Sequence, residues 1–327
     1  MLLKFSCRAE SWPIAGTFSI ARGSKTSADV VVVTLKRNGF EGHGECVPYG
    51  RYGETVAGVL AALQAAESQI LAMPPRQSIK RLQLPYAARN ALDCAFWDLD
   101  CKETGVPVWQ RAGLNPPKPL TTAYTLSLDT PERMAAAASA AHDRPLLKLK
   151  LGGEGDAQRL LAIRKAAPSA RLIVDANEGW SSAQLPTLLK HCKDVGVELV
   201  EQPLPADNDD ALSGMTRDVL ICADESAHGL ESLVGLRGKY DAINIKLDKT
   251  GGLTPALELA AAAKAANMKI MVGCMLATSL AMAPASLLGQ FADYVDLDGP
   301  LLLQRDRPHA ISYTGGTMQP PPRALWG

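Results

Sequence analysis

Eight short apolar runs, each ending in polar residues, recur through the last two-thirds of this chain. They are Leu120–Leu126, Leu146–Leu151, Leu172–Asp175, Val197–Glu201, Leu220–Asp224, Ala242–Lys246, Lys269–Gly273 and Tyr294–Asp298. Ala/Leu-rich stretches of helical spacing separate them. From Lys150 through Asp175, Glu201 and Asp224 to Lys246, the ends fall 22 to 26 residues apart. Short strands alternating with helices at such a repeat are βαβ units, which lay their strands in parallel. Eight of them predict an α/β fold closed as a TIM-type barrel. The rival is a doubly wound open sheet. It usually carries a glycine fingerprint after its first strand, and no G-x-G-x-x-G occurs here.

The first ~115 of the 327 residues follow another pattern. Val30 to Leu35 is a β-branched run, hence a strand. Gly42, Gly44, Gly50 and Gly53 punctuate the loop that follows. Thr55–Leu71 and Tyr86–Thr104 have helical spacing, and Gly105 with Pro107 stops the second helix. The expected organisation is an α+β domain over residues 1–115, a barrel over 116–300 and a C-terminal segment over 301–327.

Composition excludes several functions. Thirty-four basic residues balance 34 acidic ones and the pI is near 6.9, which argues against a nucleic-acid partner. The most apolar stretch, 270–288, is broken by Thr278, Ser279, Pro284 and Ser286, so no membrane span is expected. The first residues lack the apolar core of a signal peptide. Seven scattered cysteines without C-x-x-C suit a reduced, cytoplasmic protein rather than a disulfide or zinc framework. No H-E-x-x-H, G-x-S-x-G or phosphate-binding loop is present. The chemistry must rest on carboxylates and amines.

In a barrel, functional groups sit at the C-terminal strand ends. Asp175, Glu201 and Asp224 end three consecutive strands. Three converging carboxylates repel unless a cation neutralises them, and an all-oxygen set favours Mg²⁺. Lys148 and Lys150 share one face of the second strand, and Lys246 ends the sixth. Strands two and six are four apart in a ring of eight, so Lys150 and Lys246 would flank a bound molecule as two bases. Lys148 beside Lys150, with a nearby cation, is expected to lower the lysine pKa. Removing a proton from one face of a carbon and returning it to the other suits this arrangement. A cation would stabilise the enediolate formed meanwhile.

These residues together resemble the enolase superfamily, in its muconate-lactonizing-type subgroup. Ala87 to Leu99 is similar to that family's capping-domain helix, Lys148-Leu149-Lys150 to its K-x-K, and Lys246 to its strand-six lysine. Within the superfamily the chain is most similar to the L-Ala-D/L-Glu epimerases. The matching stretches are Ile20–Ser24, Glu45–Glu54, Asn244–Gly252, Gly273–Leu276 and Asp296–Pro300. The resemblance implies an enolase-like fold, a modified (β/α)7β barrel whose C-terminal segment returns to an α+β cap. It implies Mg²⁺-dependent epimerisation of a small dipeptide such as L-Ala-D-Glu, and a role in murein peptide recycling. Lys148 would hold the dipeptide carboxylate, Asp296 and Asp298 its ammonium, and Arg22 the glutamyl side chain. Thr125 would touch the substrate, and Asn177 and Gln202 would support the site. Asp248 and Lys249 would orient Lys246 or only form ion pairs. The cap loops around Arg22 and Arg51-Tyr52 would close over the barrel mouth. A cycloisomerase, an o-succinylbenzoate synthase and a non-catalytic metal-binding barrel remain as rivals, and the oligomeric state stays open.

Overall fold

The computed structural model describes residues 2–72 and 76–327. Strands β1 (Lys4–Ile20), β2 (Gly23–Arg37) and β3 (Phe40–Cys46) form an antiparallel sheet in that order. The Val30–Leu35 run is buried on both faces. Val31, Val33 and Leu35 join the cap core, while Val30 and Val32 join the core of the barrel. That double burial is why the strand reads as continuously apolar rather than alternating.

Helices α1 (Val56–Ala65), α2 (Glu67–Ala72) and α3 (Tyr86–Thr104) complete the cap. The expected helix over 55–71 is two helices meeting at Ala66, with Val59, Leu63 and Ile70 all buried. The Thr55 side chain accepts from Gly58 N and caps α1. Helix α3 ends as expected, at Gly105 in the left-handed region (φ 70°). Gly42 and Gly44 let α3 lie against β3. A Cβ on Gly42 would stand 2.3 Å from Ala95 O, and one on Gly44 2.0 Å from Ala91 O.

After β4 (Leu120–Thr121) come the barrel strands. They are β5 (Tyr124–Leu126), β6 (Leu146–Lys150), β7 (Arg171–Asp175), β8 (Val197–Glu201), β9 (Leu220–Ala223), β10 (Ala242–Ile245), β11 (Lys269–Gly273) and β12 (Tyr294–Asp296). All pair in parallel, in sequence order. Ala123 N donates to Val295 O at 2.8 Å across the seam between β5 and β12. The fold is therefore enolase-like: a nearly closed eight-stranded parallel barrel with a separate antiparallel cap.

Two details of the barrel also differ from expectation. The run Leu120–Leu126 is not one strand, because β4 turns away to pair with β14 (Thr317–Met318). That strand forms a hairpin with β13 (Tyr313–Thr314). Between β8 and β9 only a short 3-10 turn, Asp210–Leu212, replaces the expected helix. Pro203 and Pro205 lack the N–H groups a helix needs, and four consecutive Asp/Asn residues, 207–210, favour turns.

Alternation within the strands places the site. Ala123, Leu146, Ile173, Leu199, Cys222, Ala242, Met271 and Tyr294 pack together as the barrel floor. Two residues further along each strand stand Thr125, Lys148, Asp175, Glu201, Asp224, Asn244, Gly273 and Asp296. The pleat that builds the floor thus delivers a polar ring above it.

The C-terminal segment runs back along the cap. Ile14 bridges to Leu303, and Gln304 N donates to Pro13 O. Trp326 Nε1 donates to Cys94 O. Glu45, at the end of β3, is fully buried, where it accepts from Thr278 N, Thr278 Oγ1 and Arg307. Arg307 also reaches Glu10 at 2.7 Å. All seven cysteines are free. Among the described residues no helix is long and apolar enough to cross a membrane.

Candidate active site

Strand register brings the predicted charges together. Lys150 pairs with Asp175 and Asp175 with Glu201 across β6, β7 and β8. Asp175 and Glu201 have no exposed surface and Asp224 almost none. Lys150 Nζ donates to Asp175 Oδ2 at 2.6 Å. Lys148 Nζ lies 2.7 Å from Glu201, 3.2 Å from Asp175 and 2.6 Å from Asp296. Lys246 Nζ lies 2.7 Å from Asp224 Oδ2 and 3.9 Å from Glu201. Lys249, buried beneath, donates to Asp224 Oδ1 at 2.6 Å and to Asn244 O.

The electrostatics follow from this interleaving. Burial works to raise the Asp175 carboxyl, but Lys150, Lys148 and Lys246 outweigh it and hold the group below its usual range. Asp224 is likewise held well down, against its burial, by Lys246 and Lys249. Glu201 goes the other way, pushed up to about 7 by burial and by Asp175. Burial works to lower Lys246, yet Asp224 and Glu201 hold it well above its ordinary value. A cation held by Asp224 and Glu201 would offset the negative charge that raises it, and so act in the direction the sequence predicts.

A cavity of about 370 Å³ opens between cap and barrel mouth, lined among others by Lys150, Lys246, Asp224, Asn177, Arg22 and Tyr49. Lys148, Glu201 and Asp296 lie buried outside that lining. Thr125 lines a different hollow, beside Arg133 and Arg144. Its backbone N–H donates to Asp298 Oδ2 at 2.6 Å. Strand β12 stops at Asp296, so Asp298 stands beyond the strand rather than on its face. Burial and Asp296 push Asp298 up to about 7.

Arg22 lines the cavity and is held by four partners. It donates to Glu225 at 2.5 Å, Glu178 at 2.9 Å, Tyr49 Oη at 2.9 Å and Asn177 O at 2.7 Å. The cap loop is thus fastened to the ends of β7 and β9. Glu225 was not singled out in the sequence, where it reads as one more acid after Asp224. It is buried, and burial with Asp224 pushes it up to about 7. Asn177 N donates to Asp175 Oδ1. Gln202 Oε1 accepts from Asp224 N and Ser226 N. Asp248 accepts from Val47 N and Asn90 rather than meeting Lys246, and Lys249 holds Asp224.

Among the described residues no three acidic, imidazole or thiol side chains stand as a ready-made cation cage. The donor chemistry nevertheless fits a hard divalent ion. Asp175, Glu201 and Asp224 offer only oxygens, are buried, and come from adjacent strands. Glu201 Oε2 is buried without a hydrogen bond, although the Lys148 ammonium is within ion-pair distance.

The chain matches known proteins along nearly its whole length. Residues 3–113 match the mandelate racemase/muconate lactonizing enzyme N-terminal domain, and residues 132–324 the enolase C-terminal domain-like family. An L-Ala-D/L-Glu epimerase of Escherichia coli is 43% identical over 94% of this chain and 97% of its own. An N-acetyl-D-glutamate racemase of Pseudoalteromonas is 45% identical over 91% of this chain and 95% of its own. A crystal structure from Agrobacterium tumefaciens superimposes with a TM-score of 0.97. It is 49% identical and covers 99% of this chain and 100% of that one. It is described as an enolase family member with homology to dipeptide epimerases, with bound sodium, L-Ala-L-Glu and an ordered loop. An Enterococcus faecalis dipeptide epimerase complexed with Mg and L-Leu-L-Tyr has a TM-score of 0.91. It is 29% identical and covers 98% of this chain and 97% of that one. The chain belongs to the mandelate racemase/muconate lactonizing enzyme family of the enolase superfamily, among its dipeptide epimerases.

Proposed function

We propose that the protein is an isomerase that interconverts L-Ala-D-Glu and L-Ala-L-Glu by moving the Cα proton between two lysines. The observation that carries this reading is that Lys150 and Lys246, from strands four apart in the barrel order, line one cavity. One lysine takes the proton from one face of the glutamyl Cα, and the other returns a proton to the opposite face. Asp175, Glu201 and Asp224 would hold Mg²⁺, which supplies positive charge to the substrate carboxylate as Cα loses its proton. Lys148 adds charge beside them, Asp296 and Asp298 receive the ammonium, and Arg22 takes the glutamyl carboxylate. Cap residues around Arg22 and Tyr49 exclude water. The resemblance supports a role in recycling murein peptides in the cytoplasm. The test is ¹H NMR of L-Ala-D-Glu and L-Ala-L-Glu in D₂O with enzyme and Mg²⁺. The Cα–H signal should disappear as the two diastereomers interconvert, and its persistence would overturn the reading.

A second reading replaces the dipeptide by an N-acyl glutamate. Lys148 already engages Asp296, and Asp298 is pushed towards its neutral form, which reduces the negative charge available to an ammonium. Racemisation of N-acetyl-D-glutamate with a kcat/KM above that for the dipeptide would decide for this reading.

A further inference from the structure

We infer that Asn244 is a positioning residue for the ion site, acting through Glu201, and that Gly273 is the seat that permits it. The inference rests on the reading of Glu201 as an ion ligand. Asn244 lies on β10 at the inward position next to Lys246 and is buried. Its Nδ2 donates to Glu201 Oε1 at 2.6 Å. The other Glu201 oxygen accepts no hydrogen bond but faces the Lys148 ammonium at 2.7 Å. One neutral donor thus fixes one oxygen of the carboxylate, and with it the carboxylate plane, while the second oxygen meets an ammonium that an ion would have to displace or share with it. That ammonium adds charge, but its long flexible stem fixes orientation less well.

Two further observations support a functional placement. Asn244 Oδ1 is buried without a partner, whereas an apolar side chain would fill the same space without stranding an acceptor. On the neighbouring strand β11, a Cβ at Gly273 would stand 2.5 Å from Asn244 Oδ1 and 2.7 Å from its Nδ2. Gly273 has no left-handed backbone to explain its identity. The glycine is needed because the amide lies across it.

The test is titration of the full chain with Mn²⁺ by calorimetry, without substrate, alongside thermal unfolding. Asn244→Leu keeps the branched heavy-atom shape, though its methyls are bulkier, and removes the donor, and should weaken Mn²⁺ binding 10–100-fold in a folded protein. Gly273→Ala should do the same by displacing the amide, and serves alone if Asn244→Leu does not fold. In Asn244→Ala/Gly273→Ala the new methyl meets no amide. The double variant should therefore bind no more weakly than Asn244→Ala alone. Wild-type affinity in folded Asn244→Leu, or losses that multiply in the double variant, would overturn the inference. Glu201→Gln separates the two readings. If it loses Mn²⁺ while Asn244→Leu does not, the ion site stands and the positioning role falls. If the wild type binds no ion, both fall.

Discussion

Lys246 and Asp224 form a buried ion pair, Nζ to Oδ2 2.7 Å, at the ends of adjacent barrel strands. Lys249 holds the second oxygen of the same carboxylate. One acid therefore serves as partner to a proposed base and as proposed ligand to an ion. Base and ion site are assembled from shared parts, and damage to one should be felt in the other.

The first prediction concerns the ion. EDTA should abolish epimerisation, and Mg²⁺ or Mn²⁺ should restore it. Asp175→Asn, Glu201→Gln and Asp224→Asn should each fold, by circular dichroism, and lose activity. Full turnover in metal-free buffer would remove the ion from the mechanism.

The two lysines predict a stereochemical split. Neither Lys150→Ala nor Lys246→Ala should epimerise, because each lacks one of two proton transfers. By resemblance to the family, Lys150 should handle the D configuration and Lys246 the L. Lys246→Ala should still exchange the Cα proton of L-Ala-D-Glu with D₂O, and Lys150→Ala that of L-Ala-L-Glu. A folded single-lysine variant that epimerises near the wild-type rate rules out two bases.

Specificity should divide between Arg22 and the two C-terminal acids. Arg22→Ala should depress kcat/KM for L-Ala-L-Glu by ~1.5–3 kcal/mol, the worth of a charge-assisted hydrogen bond. Its effect on L-Ala-L-Gln should be much smaller. Equal losses for both peptides place the side-chain partner elsewhere. N-acetylation of the dipeptide should hurt the wild type more than Asp298→Asn, and equal sensitivity moves the ammonium site.

Asp248 predicts a pH-dependent stability. Burial pushes this carboxyl from 3.8 up to about 7, so the folded chain holds its proton more tightly than the unfolded one. The resulting stability is present below about pH 4 and lost as pH rises through 7. Asp248→Asn removes that dependence. Its stability relative to wild type should therefore grow between pH 4 and 7.5, by at most on the order of 4 kcal/mol. Thermal melts of both proteins across that range check this, and parallel curves contradict it.

Much of the site was legible because a barrel turns sequence alternation into direction. Lys148 and Lys150 are two apart, and Asp175, Glu201 and Asp224 recur with the βα repeat, so their convergence follows from the strand pattern. Glu225 and Asn244 were not legible. Their partners lie 203 and 43 residues away, at Arg22 and Glu201, and no local periodicity marks those pairs. Gly273 read as a strand end and as part of a matching stretch, without a role, since nothing in the sequence shows which side chain needs its missing Cβ. The split of Leu120–Leu126 was hidden similarly, because the partner of β4 lies near residue 317.

The buried contact between Glu45 and Arg307 bears on how this family can be recombined. A chimaera carrying residues 1–115 into another barrel brings a fully desolvated carboxylate whose counter-charge is encoded 262 residues later. Without the residues at 278 and 307, such a graft strands a buried charge, a defect of about 3–5 kcal/mol. The cap is one domain by shape, but as a unit of exchange it has three discontinuous pieces.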